Sequence, residues 1–308
     1  MVAITNNVYT LVNRKSNGDT NVVLDIYQGR RANGTPSHIW AETDTQDIFN
    51  QQWLLKEVDG KPDVYTLRNL RTGTYLDLSN GSSANGTQVQ GWSSAEGSAY
   101  ASNQQWKITT DGTYYRLQNV SGKTYLDLLG NATTNGTKVH GWAKANVETQ
   151  DWLLRRVSRT GTEIRAILAK NPYIGKDFKS YLQDGLYDFL SFTNSCLRYT
   201  YLLVVLPKTV RDSVYNGTGL RTTTWRPDIF DCDDFAFVSK GEVARWGNSF
   251  LGADGVAILW GVMFGTNGQS GHAYNWYLNK ELDSIMFFEP QNGQESTNIG
   301  YNGFFAIF

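Results

Sequence analysis

Residues 231–234 read Asp-Cys-Asp-Asp, and Cys232 opens a stretch to Trp246 whose apolar spacing predicts a helix. A thiol at a helix start is acidified by unpaired N–H groups and by the macrodipole. Asp231, Asp233 and Asp234 oppose this: at an effective dielectric near 20 and ~5 Å, each disfavours the thiolate by roughly 3 kcal/mol, about two pKa units. Oxygen-bound dications could offset that field, and Asp233, Asp234, Glu289 and Gln291 are hard donors of the type calcium takes. His272, the one histidine beyond residue 157, starts a predicted strand, and Glu289 ends another. Cysteine at a helix start, then histidine, then an orienting polar group, is an order suited to nucleophilic catalysis. Cys232, His272 and Glu289 fall in that order along the chain.

A second constellation recurs three times. Asp25, Asp77 and Asp127 are 52 and 50 residues apart; Asn-Gly-Thr begins eight residues after each, at Asn33, Asn85 and Asn135, and a tryptophan falls fifteen after each, at Trp40, Trp92 and Trp142. Every copy closes on Gln-x-Trp: Gln51/Trp53, Gln104/Trp106 and Gln150/Trp152. Such register marks an internal repeat.

The elements that carry these residues differ between the halves. Up to about residue 160 apolar and polar residues alternate and break at Asn-Gly or Ser-Gly, which predicts short strands and hairpins with no helix. One unit cannot cover its own apolar face, so three must close around a shared core with pseudo-threefold symmetry. Beyond 160, residues 162–171, 182–192 and 232–246 have helical spacing, and β-branched and aromatic strands follow, an α+β arrangement. The boundary falls at Val157 and Ser158, giving domains 1–157 and 158–308.

The first half resembles the ricin-B type β-trefoil lectins, so the fold class is multidomain, an all-β β-trefoil followed by an α+β domain. The resemblance implies a sugar pocket in each copy. The aspartate accepts from vicinal hydroxyls, the tryptophan fifteen residues on stacks on the apolar face of a galactose-like ring, and an Asn before the Gln-x-Trp glutamine adds a polar contact. The second pocket then holds Asp77, Gln90, Trp92 and Asn103; the third Asp127, His140 and Trp142, with Thr149 before its glutamine; the first Asp25, Trp40 and Asn50. Ile39, where the other copies have Gly91 and Gly141, is expected to crowd the first pocket, and His38 beside it to be an ordinary surface residue. The expected order of strength is second, third, first. Trp53, Trp106 and Trp152 are expected in the core.

With the stretches WRPDIFDCDDF, WGVMFGTN, HAYNW, FFEPQNG and IGYNGFFAIF, the second half resembles the C-terminal domain of the Marasmius oreades agglutinin family, fungal chimerolectins that join a ricin-B trefoil to a papain-like cysteine protease domain. The resemblance implies Cys232 as nucleophile, His272 as base, Glu289 as orienting residue, a calcium or manganese requirement, and a homodimer through this domain. A glutamine for the oxyanion hole is missing between Arg221 and Cys232, where Trp225 stands, so the Cys232 N–H must serve and slow turnover is expected. The resulting protein would be a defence toxin that binds galactose-terminated glycans and cuts peptides. Its rivals are a multivalent lectin whose second domain only dimerises, and a glycoside hydrolase with an appended lectin.

Composition excludes other classes. Lys and Arg number 28 against 29 acidic residues with no basic stripe, so neither nucleic acid nor an anionic membrane is an expected partner. The start, MVAITNNVYT, has no basic n-region and no apolar run follows, so a cytosolic chain without a transmembrane segment is expected. Two cysteines, Cys196 and Cys232, make no disulfide framework, and Cys196 is expected to be a small core residue.

Overall fold

The computed structural model describes residues 4–16, 21–181 and 202–308. The chain forms two compact units, residues 1–157 with Leu251–Asp254, and residues 158–250 with 255–308. Inclusion of Leu251–Asp254 in the first unit differs from a single boundary at 157. The cause is a backbone contact that only glycine permits: the Gly252 N–H donates to the Leu70 carbonyl at 2.8 Å, and a Cβ on Gly73 would lie 2.3 Å from the Gly252 oxygen.

In the first unit, each repeat supplies four strands. They are Asn7–Asn13, Val22–Ile26, Thr35–Ala41 and Trp53–Glu57; then Val64–Asn69, Tyr75–Leu78, Thr87–Trp92 and Trp106–Thr110; then Tyr115–Asn119, Tyr125–Leu128, Val139–Trp142 and Trp152–Arg156. The first and fourth strands of the three repeats pair in a closed antiparallel ring of six. The middle two strands of each repeat form a hairpin, and the hairpins meet through Thr35–Ala41, Thr87–Trp92 and Val139–Trp142. This is a β-trefoil, and closure leaves its barrel no open edge.

Its core is built from the repeat. Leu24, Leu76 and Leu126 are buried, as are Ile39, Val89 and Val139, together with Trp53, Trp106 and Trp152. Each of these indoles donates to the carbonyl immediately before a repeat aspartate: Trp53 to Leu24 at 3.1 Å, Trp106 to Leu76 at 2.9 Å, Trp152 to Leu126 at 3.1 Å. Burying the ring therefore also fixes the strand that carries the candidate ligand. Asn13, Asn69 and Asn119, fully buried, donate across repeats to the carbonyls of Thr149, Asn50 and Asn103. Among the described residues of this unit only short 3-10 turns interrupt the strands, as the alternation predicts.

The second unit has three described helices, α1 (Gly161–Leu168), α2 (Lys208–Gly217) and α3 (Cys232–Phe250). A capping box between Thr160 and Glu163 starts α1. The apolar run 255–265 is divided between two strands: Val256–Ile258 joins a three-stranded sheet, and Gly261–Thr266 a six-stranded one. In the latter the order is Ile174–Tyr181, Asn302–Ile307, Gly261–Thr266, Gly271–Leu278, Ile285–Glu289, Gln294–Ser296, antiparallel except for the first pair. Helix α3 packs through Ala236 on Ala273 of Gly271–Leu278 and Val262 of Gly261–Thr266. The expected helix at 182–192 and Cys196 lie outside the described residues. Among the described residues no helix is long and apolar enough to cross a membrane.

Candidate functional site

The hairpins of the first unit set each aspartate opposite a polar residue: Asp25 faces His38, Asp77 faces Gln90, and Asp127 faces His140. Residues opposite one another share a face, as do residues two apart, so each aspartate shares its face with the polar residue and with Trp40, Trp92 or Trp142. The three aspartates are buried, at 4–5% exposure, while the three tryptophans are 39–42% exposed. A buried acceptor beside an open indole is the geometry the sequence predicts for Asp25/Trp40, Asp77/Trp92 and Asp127/Trp142.

The carboxylates are held by side-chain nitrogens of their own repeats. His38 Nε2 lies 2.9 Å from Asp25 Oδ1, Gln90 Nε2 donates to Asp77 Oδ1 at 3.1 Å, and Gln150 Nε2 donates to Asp127 Oδ2 at 2.9 Å. Burial pushes Asp25 and Asp77 above the usual carboxylate range, against the opposing bonds from His38 and Gln90. In the third repeat burial holds His140 below its ordinary value, and its ring stacks on Trp142 at 5.1 Å. Asp127 Oδ1, His140 Nδ1 and Asn50 Oδ1 are buried without a hydrogen-bond partner.

Two expectations for the first repeat are corrected. Ile39 does not crowd the pocket: it alternates with His38 and Trp40, is fully buried, and belongs to the core. A Cβ on Gly91 or Gly141, its counterparts, would meet Thr74 or Thr124 at 2.5–2.6 Å, on the core side as well. His38 is not an ordinary surface residue but a buried partner of Asp25, equivalent to Gln90 and His140. The signal was its register, which outranks the identity of its neighbour.

The Asn-Gly-Thr turns do more than turn. Asn33, Asn85 and Asn135 accept from the N–H that follows a candidate tryptophan of another repeat: Ser93 at 2.8 Å, Ala143 at 2.7 Å and Ala41 at 2.7 Å. A Cβ on Gly34 would lie 3.9 Å from the Trp92 ring, and one on Gly136 3.8 Å from Trp40. Neighbouring repeats thus support each indole, which spacing within one repeat could not show.

The 3-10 turns Gln46–Gln51 and Ala101–Gln104 carry Asn50 and Asn103, buried against the facing turns Tyr27–Gly29 and Ser79–Gly81; Thr149 stands on Glu148–Gln150. Gln51, Gln104 and Gln150 each donate to the carbonyl one residue after the candidate tryptophan, at Ala41, Ser93 and Ala143.

In the second unit, Cys232 begins α3 and is free and half-buried. It packs with Ala236, Val262 and Ala273, and the Ala273 N–H is directed at its sulfur. Ala273 follows His272 in the strand Gly271–Leu278. His272 Nε2 lies 2.6 Å from Glu289 Oε2, and Glu289 Oε1 accepts from the Gln291 N–H at 3.1 Å. The ring also leans on Tyr301 at 4.9 Å. His272 and Glu289 are therefore brought together, and the Cys232 sulfur meets the backbone of the residue that follows His272.

The acidic cluster has a partly structural cause. Asp231 Oδ1 accepts from the Asp233 N–H at 3.4 Å, and Asp234 Oδ2 from the Asp231 N–H at 3.1 Å, a reciprocal cap on the start of α3. The thiol is pushed up first by burial, with the Ala273 N–H opposing and Asp231 and Asp233 adding, so charge is not the leading cause as the sequence suggests. Asp231, Cys232 and Asp233 place their ligand atoms within 4.8 Å of one another. The contact between the two carboxylates lowers Asp231 and raises Asp233. The expected ligand set of Asp233, Asp234, Glu289 and Gln291 is not gathered in this group: Asp234 caps, and Glu289 engages His272.

Residues 203–295 match the family described as Agglutinin C-terminal, and residues 49–142 and 102–170 match Ricin-type beta-trefoil lectin domain-like. None of the curated proteins compared with the chain matches it. Among solved structures, Polyporus squamosus lectin bound to the human-type influenza-binding epitope Neu5Acα2-6Galβ1-4GlcNAc is 32% identical, with 99% of each chain covered and a TM-score of 0.81. The PSL1a–E64 complex is similar to the same degree: 32% identity, 99% of each chain, TM-score 0.81.

Proposed function

Because the chain belongs to the family of two-domain fungal lectins that includes Polyporus squamosus lectin, and so is a carbohydrate-binding lectin, we propose that its trefoil pockets take galactose-type sugars and that its second unit is a cysteine endopeptidase. The observation that carries the lectin half is the threefold pairing of a buried aspartate with an exposed indole. Such a pair suits a pyranose, which offers vicinal hydroxyls at one edge and C–H groups on one face. The epitope bound by Polyporus squamosus lectin contains galactose between two other sugars, which favours a galactose-type ring here, with or without sialic acid attached. Calorimetric titration with Galβ1-4GlcNAc and with Neu5Acα2-6Galβ1-4GlcNAc tests this. Binding is expected to vanish when Asp25, Asp77 and Asp127 are all replaced by Ala, and its survival in that variant would overturn the assignment.

For the second unit, the support is the short His272–Glu289 bond together with a thiol at a helix start that meets the backbone N–H of Ala273, the residue after His272. Glu289 engages Nε2 and leaves Nδ1 for proton transfer. The Cys232 thiol gives its proton to the imidazole as sulfur attacks the peptide carbonyl carbon, and the Cys232 N–H receives the developing oxyanion. The C–N bond then breaks, the amine leaves with the imidazolium proton, and a thioester remains. Water, deprotonated by the neutral imidazole, hydrolyses it to the acid and free thiol.

Asp231 and Asp233, whose carboxylates meet, fit a calcium or manganese ion. A bound dication would supply positive charge that favours the thiolate. E64 serves as a probe in turn, since its epoxide alkylates thiolates. Hydrolysis of a fluorogenic peptide is expected with calcium, to stop in chelator and in Cys232→Ala. Equal blanks in all arms would favour a second unit that only dimerises. In this reading the lectin delivers the peptidase to glycosylated surfaces as a defence toxin, and dimerisation through the second unit multiplies the sugar sites.

A further inference from the structure

The third pocket differs from the other two at a pair of facing turns. In the first and second repeats the turn after the aspartate strand ends in glycine, Gly29 and Gly81, both at φ +59°. A Cβ there would lie 2.6 Å from Asn50 Oδ1 and 2.3 Å from Asn103 Oδ1, so glycine is required because the amide of the opposite turn fills the space. In the third repeat both residues change together. Position 149 is Thr, and the turn Leu129–Asn131 ends in Asn131, which keeps the same left-handed conformation at φ +59°. A shared backbone conformation directs its Cβ at the corresponding spot, which the shorter Thr149 leaves open.

The neighbouring repeat adjusts as well. The hypothetical Cβ also meets Arg71 at Gly29 and Ser121 at Gly81, whereas Lys15, two residues after Asn13 as Arg71 and Ser121 follow Asn69 and Asn119, instead sends its ammonium to the Asn131 carbonyl at 2.8 Å. Asn131 is exposed and so free to meet a ligand. Each turn carries two consecutive left-handed residues, one of them glycine: Gln28-Gly29, Asn80-Gly81 and Gly130-Asn131; the third exchanges their order and so puts its side chain, an amide, at the position that faces Thr149.

We infer that Asn131 is a specificity-determining residue of the third sugar pocket, supplying from the opposite turn the amide that Asn50 and Asn103 supply in the others. Transfer between turns brings the amide to the sugar from another direction, so the third pocket selects a different hydroxyl arrangement. This rests on the proposal that the pockets bind galactose-type sugars.

The test isolates that pocket in an Asp25→Ala/Asp77→Ala background and titrates Galβ1-4GlcNAc and a set of monodeoxy galactosides. Asn131→Gly, the residue of both sister turns, is expected to fold normally and to weaken binding about five- to tenfold, the worth of one hydrogen bond. One deoxy sugar should be bound equally with and without the substitution, which a structural effect would not produce. Adding Thr149→Asn to Asn131→Gly should restore affinity. Unchanged affinity in Asn131→Gly, with binding lost in Asp127→Ala, overturns this inference alone. Binding that survives Asp127→Ala overturns the pocket assignment and this inference with it.

Discussion

In the first unit each candidate carboxylate is buried against a side-chain nitrogen of its own repeat, whereas in the second Asp231 and Asp233 meet each other at the open first turn of a helix. The first arrangement leaves Asp127 Oδ1 buried and unpartnered, an acceptor with capacity to spare. The second leaves excess negative charge beside a sulfur whose attack requires a negative charge of its own. A preformed acceptor can bind a neutral ligand directly; a thiol among carboxylates needs a further change before it can react. The sugar sites are therefore expected to work in chelator and the thiol site not to.

The sharpest separation is Cys232→Ala. Peptide hydrolysis and E64 labelling should disappear, with glycan binding unaltered, as followed by fluorogenic cleavage, intact mass and calorimetry. Glycan binding lost along with hydrolysis would mean that the two functions are not separable.

Next comes a contrast between two tryptophans of one repeat. Trp106 is fully buried and its indole holds the Leu76 carbonyl, so Trp106→Ala should cost the first unit about 3–5 kcal/mol in chemical denaturation. Trp92 is 39% exposed, and Trp92→Ala should change stability little while weakening sugar binding at its own pocket more than tenfold. The reverse pattern would remove the distinction between core and pocket indoles.

Repetition explains why that distinction was legible. The spacing that puts Trp40, Trp92 and Trp142 fifteen residues after an aspartate, and the Gln-x-Trp indoles beyond, recurs three times and carries its own internal control. Where one repeat was read by local identity, at His38 and Ile39, the reading failed, because strand alternation sends adjacent side chains to opposite faces. Links between repeats, such as Asn135 to Ala41 and Asn13 to Thr149, join residues remote in sequence and leave no pattern within one copy. The thiol site occurs once. Cys232, His272 and Glu289 could be picked out by order, but the same three aspartates served equally well as a metal cluster or as a helix cap, and only geometry divides those roles.

A smaller effect is expected from pH. Burial raises Asp25 and Asp77, and each pocket needs the ionised form, so binding at an isolated first or second pocket should fade as pH falls while an ordinary aspartate would still be charged. Burial lowers His140, so the third pocket should keep a neutral imidazole, and constant affinity, from pH 8 to its ordinary value near 6.5, with any step below that. Single-pocket variants titrated with Galβ1-4GlcNAc would show this. A step centred above 6.5 in the third pocket would contradict the burial argument.

The smallest effect divides the aspartates of the second unit. Asp234 accepts from the Asp231 N–H, so its work is to hold the first turn of α3. Asp234→Ala should cost about 1 kcal/mol of stability, the usual worth of a helix cap, with the calcium response of peptide hydrolysis retained. Asp233 is the reverse case, since its carboxylate meets that of Asp231 beside the sulfur. Asp233→Asn removes one negative charge and one hard ligand together, so basal E64 labelling should rise while its stimulation by calcium falls. If both substitutions abolish calcium stimulation equally, the cap and the cation site are one device, and the division of roles among these aspartates fails.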